Sequence, residues 1–401
     1  MLDPDDHRSL IQRLDLCHFE DQSPGMVHWH PRGYVLYRLL EGAARTRTEA
    51  DGYSEVRTPQ LVRRPVWDAS GHWNSFGAGM FRLHDGSFEA ALKPVSCPGH
   101  IHVAKQTVDS YRNLPLRLSE FGVVHRDEPG GTLHGLLRLR QFTQDDGHVF
   151  CREDQVDDEL DGFCRTVRPF YAAFGFTSLE VAVSTRPNHR GGEDTDWDYT
   201  ERALRSTLDR AGIAYAIQEG AGAFYGPKIE FSLTDRSGRA WQCGTIQLDV
   251  LMPRRFELRY QSSDGERRFV VMLHRALYGS LERFLGLLLE RHRGALPLWI
   301  APEQVRVLPV ASQQHEYAHQ VQSMLTDAGL RVHVDEREET LSRRVLGAHE
   351  AGVRIMGIVG EQERGRGAVT LREGESQRVV PLAAATEELR VRCMPPDFRT
   401  V

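Results

Sequence analysis

Two arginines, a cysteine and two histidines are the residues of this chain whose types could do chemistry. Arg126-Asp127-Glu128 precedes a Pro129-Gly130-Gly131 turn signal, and the opposite arm carries Arg138 and Arg140. A guanidinium clamps phosphate oxygens bidentately, and a rigid sheet would hold it in place; on sequence alone an arginine on a hairpin is more often a solvated face. Arg283 lies in Gly279-Ser-Leu-Glu-Arg-Phe-Leu-Gly286, inside an apolar stretch. Buried there it needs a partner, either a carboxylate such as Glu282 or the phosphate of a ligand. Cys97, His148 and His274 have the ligand types that suit zinc. Their spacing is too wide for a metal motif, so on spacing alone a core cysteine and two satisfied histidines is the better reading. His28-Trp-His30 and His100-Ile-His102 are closer in sequence and read as ordinary histidines. Asp145-Asp146 could hold a metal or an ammonium group, or form a solvated edge. The glycine-rich Gly220 to Gly226 precedes a strand, whereas a dinucleotide fingerprint follows one, so that reading is rejected.

These residues need elements to position them. Val35, Leu36, Leu39, Leu40 and Ala43 recur at helical spacing between Tyr34 and Ala50, Gly52 breaks the run, and Tyr53 to Pro59 reads as a strand. Leu116 to Val124 and Leu136 to Phe150 alternate apolar and polar residues on either side of the turn signal, which predicts a long antiparallel hairpin. Further strands are expected at 179–183, 214–218, 228–234 and 245–251, with a helix over 200–212 closed by glycine. Leu277, Leu281, Phe284, Leu285 and Leu288 predict a single helix from Arg275 to Arg293. Beyond Leu296 to Pro302 the pattern changes to strands alternating with helices: strand 305–310, helix 314–328, strand 330–334, helix 340–351, then strands 354–359 and 369–372. That predicts a small α/β domain with a largely parallel sheet, and a boundary near residue 298.

Composition bounds the rest. The chain has 401 residues, 40% of them hydrophobic, with 50 basic and 56 acidic side chains and a formal net charge of −6. That is an ordinary globular composition, which excludes a disordered, collagenous or fibrous protein. The acidity excludes a simple electrostatic glove for nucleic acid while allowing a local basic surface. No apolar run of membrane-spanning length occurs, and the start Met1-Leu-Asp-Pro-Asp-Asp6 is acidic where a signal peptide is basic then apolar, so the expectation is a cytoplasmic protein. Six cysteines without a CxxC pair argue against a disulfide framework or a zinc ribbon. Only Lys93, Lys105 and Lys228 are lysines, which singles them out in a chain whose other cations are guanidinium.

Together the segments resemble the threonyl-tRNA synthetases, a family of class II aminoacyl-tRNA synthetases. The resemblance is carried by Gly71-His-Trp73, Lys93-Pro-Val-Ser-Cys-Pro-Gly-His100, Tyr111 to Arg117, Glu120-Phe-Gly122, His125-Arg-Asp-Glu-Pro129 and Leu133-His-Gly-Leu136. It continues through Phe142-Thr-Gln-Asp-Asp146 with His148, Ala223-Phe-Tyr-Gly-Pro-Lys-Ile-Glu-Phe231, Ala240 to Thr245, Gln247-Leu-Asp249, His274-Arg-Ala276 and Gly279 to Gly286. It runs in family order from about residue 25 to the end of the chain.

The resemblance implies an α+β fold: a class II antiparallel sheet with flanking helices over residues 1–298, then an α/β anticodon-binding domain over 299–401. It implies a homodimer, with Pro59 in the first class II motif, and ATP, L-threonine and tRNA(Thr) as partners. Arg126 falls at the position that holds the ATP α-phosphate and Arg283 at the one that holds the γ-phosphate, with Mg2+ accompanying ATP. Glu128 and Phe142 match the positions that meet adenine, and Arg138 and Gln242 complete the ATP-binding set. Cys97, His148 and His274 take the zinc-ligand positions, one ion per subunit. Asp146 matches the carboxylate that holds the threonine hydroxyl, and Gln144, Tyr225, Gln242 and Gln247 line the same pocket. His72 is a candidate proton acceptor for transfer to tRNA, or a packing residue.

The chain departs from the family pattern in three places. Only about 25 residues precede the catalytic core, so the expectation is an enzyme without a cis editing domain that misactivates serine. Thr340, Arg354, Ile355 and Thr370 replace common anticodon-domain residues, whereas Arg337, Glu339 and Glu363 fit. Val95 and Ser96 replace a Met-Asn pair. These departures motivate an alternative, a paralogue that adenylates an amino acid for a non-tRNA acceptor. A regulatory protein on a dead synthetase fold is a further rival, against which the intact arginines and metal triad argue.

Overall fold

The computed structural model describes residues 3–401. Their contacts divide the chain into two units, one built mainly from Leu40–Leu287 and the other mainly from Leu288–Asp397 together with segments before Leu39.

The larger unit is organised on an eight-stranded sheet. Across it run Ala216–Gln218, Glu180–Ser184, Lys228–Thr234, Ala240–Asp249, Val271–Ala276, Gln141–Cys151, Leu116–His125 and Ser54–Glu55. Only the two outermost pairings are parallel; the interior is antiparallel. The expected hairpin forms the sixth and seventh strands of that order, with register from Leu116↔Phe150 to His125↔Gln141. Its second arm is buried over most of its length, as a strand flanked on both sides by others allows. On one side, the helix Val156–Ala172 and the strand-to-helix segment near Tyr278 bring together Phe170, Tyr171, Phe174, Tyr278 and Phe284, all fully buried. Their ring centroids lie 4.5–6.3 Å apart, distances at which aromatic pairs add to simple burial.

The helix expected over 275–293 is two elements. Val271–Ala276 is a central strand, and the helix occupies Leu281–His292. A fully buried strand and a buried helix both read as unbroken apolar runs, so periodicity cannot separate them. Two features make the break. Gly279 has φ +77°, and a Cβ there would lie 2.4 Å from the Cys243 carbonyl oxygen. The Asp145 carboxylate accepts from the backbone N–H groups of Leu277, Tyr278 and Gly279 at 2.6–3.1 Å. Asp145 is thus neither a metal ligand nor a solvated edge, but the anchor of this turn. Other differences are smaller. The second hairpin arm starts at Gln141 rather than Leu136, and the helix expected over 200–212 spans Asp194–Arg210.

In the smaller unit five strands run in the order Val332–Val334, Val305–Pro309, Ile355–Val359, Ala368–Glu373 and Ser376–Pro381. The first three are parallel, as the alternation with helices His315–Asp327 and Leu341–Glu350 requires. The last two are antiparallel, so the sheet is mixed rather than largely parallel. Glu373↔Ser376 pair across a two-residue turn containing Gly374 at φ +61°, too short for a crossover. Val305, Val307, Val321, Ile355 and Leu389 pack in one buried cluster. The departures noted above have structural work here. Thr340 caps the helix Leu341–Glu350, Ile355 is core, and Thr370 donates to Glu363 at 2.8 Å. All six cysteines are free and buried, and no described helix is long and apolar enough to cross a membrane.

Candidate active site

The two-residue period of the strands decides what faces the cleft. Along Gln141–Cys151, Phe142, Gln144, Asp146 and His148 fall on one side, while Thr143 and Asp145 fall on the other. Strand pairing then aligns rows across the sheet: Gln247 lies opposite His274, and His274 opposite His148. Over this face lies a cavity of about 540 Å³. Cys97, Arg126, Glu128, Arg138, Phe142, Gln144, Asp146, His148, Tyr225, Gln242, Gln247, His274 and Arg283 all line it. Of the expected residues only His72 stands outside this lining.

Arg126 follows the strand Leu116–His125 and is held by its Nε–H to the Pro94 carbonyl at 3.2 Å. Its guanidinium lies 5.1 Å from the centre of the Phe142 ring. Arg283, in the first turn of Leu281–His292, donates to the carbonyls of Leu137 at 2.9 Å and Gln242 at 2.7 Å. Neither arginine has a carboxylate within ion-pair distance among the described residues. Glu282, the partner considered for Arg283, turns away and accepts two bonds from the Thr143 N–H at 3.0 Å; burial pushes it up to about 7. Burial also lowers the affinity of both guanidiniums for their protons, and for Arg283 the neighbouring Arg126 adds to this. Two cations facing one enclosed space, neither of them ion-paired among the described residues, favour a polyanion there. Glu128 by contrast is engaged, accepting from Arg138 at 2.9 Å.

The thiol and imidazoles far apart in sequence converge. One ligand atom each from Cys97, His148 and His274 lie within 4.8 Å of one another, and all three residues are buried. Their hydrogen bonds settle which nitrogens are available. His274 Nε2 is 2.9 Å from Asp249 Oδ2, and Asp249 is anchored by the N–H groups of Leu251 and Met252 at 2.7 and 2.9 Å. A carboxylate takes the proton of that nitrogen, which leaves Nδ1 as a lone pair. His148 Nδ1 is 2.9 Å from His100 Nδ1, and His100 Nε2 is 3.1 Å from Glu120 Oε2. His100 donates to the carboxylate and accepts from His148, so Nε2 of His148 is the second lone pair. The two lone pairs lie 3.0 Å apart. Burial pushes the Cys97 thiol well up and the His148 imidazole well down, and a dication is what converts such a thiol to its ligating thiolate. The donor set therefore fits a zinc ion with three protein ligands.

Behind this triad stands a buried chain that the motifs did not assign. Glu120, 3% exposed, accepts from Lys93 Nζ at 2.7 Å, Thr58 N at 3.0 Å, Thr58 Oγ1 at 2.8 Å and His100. Burial alone would raise its carboxyl, but the bonds from His100, Lys93 and Thr58 outweigh that and hold it down at about 2. The rarity of lysine in this chain was the one signal that pointed to Lys93. Lys228, a second of the three, lines the cavity and pairs with Glu230 at 2.7 Å.

His72 is fully buried beside the cleft, its ring 5.3 Å from Phe224 and 5.9 Å from Tyr225. Nδ1 is 2.8 Å from Ser70 Oγ, and burial pulls the imidazole down to about 3, so it is neutral at physiological pH.

The chain is similar to known proteins along most of its length. Residues 81–292 match the family described as the tRNA synthetase class II core domain (G, H, P, S and T), and residues 304–392 match an anticodon binding domain. An antiparallel sheet carrying such a cleft, with these two matches, defines a class II aminoacyl-tRNA synthetase. The chain is 46% identical over 396 residues to a threonine–tRNA ligase of Caulobacter sp. (strain K31), covering 98% of this chain and 60% of that protein. A threonine–tRNA ligase of Burkholderia mallei (strain SAVP1) is 45% identical over 387 residues, covering 96% and 61%. The solved structure of the RNA binding domain of threonyl-tRNA synthetase from Cryptosporidium parvum Iowa II superposes with a TM-score of 0.93. It shares 36% identity and covers 97% of this chain and 99% of that chain. The chain belongs to the threonyl-tRNA synthetase family, and spans about 60% of the length of the curated relatives it matches.

Proposed function

We propose that the chain activates L-threonine with MgATP and transfers the threonyl group to tRNA(Thr). The observation that carries this reading is the pair of arginines, neither ion-paired to a carboxylate among the described residues, facing the same cavity as a buried Cys/His/His triad. In the first step a threonine carboxylate oxygen attacks the α-phosphorus and pyrophosphate leaves. Arg126 holds the α-phosphate and Arg283 the γ-phosphate, both fixed beforehand by backbone carbonyls, so charge stabilisation needs no rearrangement. Phe142 stacks on adenine, Glu128 meets its polar edge, and Arg138 and Gln242 complete the nucleotide site. In the second step the 3′-terminal adenosine hydroxyl attacks the threonyl carbonyl and AMP leaves.

Cys97, His148 and His274 would hold one zinc ion per subunit. When bound, the ion supplies a Lewis-acid site for the amino and hydroxyl groups of threonine, which valine cannot match. Asp146 takes the hydroxyl proton's hydrogen bond, and Gln144, Tyr225 and Gln247 enclose the amino acid. The proposal extends to a catalytic domain over 1–298, an anticodon-binding domain over 299–401, a homodimer formed around the first motif, and a cytoplasmic location.

The test is aminoacylation of bacterial tRNA with threonine, serine and valine, before and after chelation. Charging with threonine should disappear with the metal and return with Zn2+. Serine lacks one methyl, worth about 1–3 kcal/mol, so it should be charged roughly 10–200-fold less efficiently, and valine not measurably. Intact pyrophosphate exchange without any charging would favour the non-tRNA acceptor instead. Two roles are open to His72 in the second step, proton acceptor and packing residue, and an imidazole lowered to about 3 by burial is a weak base, which favours packing. His72→Ala should then lower pyrophosphate exchange and charging by similar factors; a loss of about 10²-fold or more in charging alone would make it the proton acceptor.

A further inference from the structure

Residues Phe398–Val401 fold with the larger unit, although Leu288–Asp397 before them belongs to the smaller. Asp397, Arg399 and Thr400 are exposed, whereas Phe398 between them is 4% exposed. Its ring joins the buried aromatic cluster, with centroids 5.6 Å from Phe170 and 5.5 Å from Phe174. Those two rings meet the residues that lead into the helix Leu281–His292. Phe170 lies 5.2 Å from Tyr278, and Phe174 lies 5.8 Å from Tyr278 and 5.0 Å from Phe284. Phe284 directly follows Arg283.

A second route reaches the same turn. Arg47, buried on the helix Pro31–Ala50, donates from Nη1 to the main-chain oxygens of Arg399 at 2.7 Å and Val401 at 2.9 Å. Asp51 holds the rest of its fork. About two turns earlier on that helix, the Leu40 carbonyl accepts from the Tyr278 hydroxyl at 3.0 Å. Tyr278 is thus fixed at its N–H by Asp145, at its hydroxyl by Leu40 and at its ring by Phe170 and Phe174, and Phe398–Val401 bears on the last two of these supports.

We propose that Phe398–Val401 is a strap that seats the turn before Leu281–His292, and that Phe398 is a positioning residue for Arg283. The proposal rests on the assignment of Arg283 to the γ-phosphate of ATP. Close-packed interiors pass displacements from ring to ring. Without the Phe398 ring, Phe170 and Phe174 collapse partly into the space it leaves, and Tyr278 and Phe284 lose their backing. Arg283 has to reach two carbonyls and a phosphate with one planar fork, and a displacement of about 1 Å is enough to cost that alignment. Arg126 and Phe142, on the central hairpin, do not depend on this stack, so the loss should fall on the γ-phosphate alone.

The experiment compares MgATP and AMP binding by calorimetry in the full chain, in Phe398→Ala, in Phe398→Leu and in a chain ending at Asp397, at a temperature where circular dichroism shows all four folded. Phe398→Ala and the shortened chain are expected to bind MgATP roughly 10-fold more weakly and AMP within about twofold of wild type, with Phe398→Leu regaining most of the difference. Should Phe398→Ala fail to fold, Arg47→Gln, which releases the strap without opening the aromatic cluster, carries the same comparison. Variants that melt at lower temperature yet bind MgATP like wild type overturn the proposal, since Phe398 is then an anchor of the fold alone. Equal losses for MgATP and AMP overturn it too, because they mean a general loosening of the cleft. A wild type that binds no MgATP is a different failure, that of the ATP site itself.

Discussion

Alanine in place of Arg126 or Arg283 is expected to lower threonine-dependent pyrophosphate exchange about 10²–10³-fold, the loss that follows removal of one fixed charge-stabilising donor. The geometry makes the two substitutions unequal in kind. Arg126 is fixed by one backbone acceptor and rests against Phe142, so its loss also loosens the surface proposed to stack on adenine. Arg283 spends Nε and Nη1 on two carbonyls from different strands and turns, so Arg283→Ala also frees the Leu137 and Gln242 carbonyls from their common tie. Lysine is a poor substitute at either position, because a point charge cannot grip a carbonyl and a phosphate at once. The check is exchange kinetics for the alanine and lysine variants. Rates within about threefold of wild type in Arg283→Lys would remove the argument from fork geometry.

Glu120→Gln is expected to destabilise the larger unit by about 3–5 kcal/mol, because it strands a buried ammonium. Lys93 is 1% exposed, and among the described residues its only ion-pair partner is Glu120. The same substitution breaks the bond that fixes the His100 tautomer, and through it the lone pair of His148, so zinc affinity should fall about 10–100-fold. Urea unfolding and metal competition read the two effects separately. The double variant Lys93→Met/Glu120→Gln should recover much of the stability without recovering the metal affinity. A double variant no more stable than the single one would show that the stranded charge is not the cause. The pH dependence has a definite sign. A carboxyl held at about 2 against an ordinary 4.5 stabilises the fold above pH 4.5 and loses that contribution as pH falls towards 2.

How far the sequence carried the reading depended on what each residue had to reveal. The hairpin was legible because apolar and polar residues are interleaved along its two arms, which flank a turn signal. The helices of the smaller unit were legible for the same reason, each amphipathic and closed by a break. The strand Val271–Ala276 was not, because a strand buried on both faces has no polar residue to mark its period. The cavity residues were found through motif order, and the rows Gln247–His274–His148 explain why such distant positions meet. The second layer stayed hidden. Nothing in the spacing of Thr58, Lys93, His100, Glu120 and His148 says that they form one hydrogen-bonded chain, since only pairing register brings Glu120 and His148 to adjacent strands. Asp145 was ambiguous for a related reason: its role is to receive backbone N–H groups more than 130 residues away.

The near absence of lysine has a practical side. Amine-directed labels and cross-linkers can reach few side chains on this molecule. Lys93 is sealed in the interior, Lys228 sits in the cleft against Glu230, and Lys105 is exposed beside the Phe256 ring at 5.8 Å. A bulky acylating dye therefore finds one open side chain, at Lys105, and a second whose access depends on what fills the nucleotide cleft. Apart from the α-amino group, which such reagents also acylate, the side chains come close to offering a single attachment point, with an occupancy reporter in the cleft.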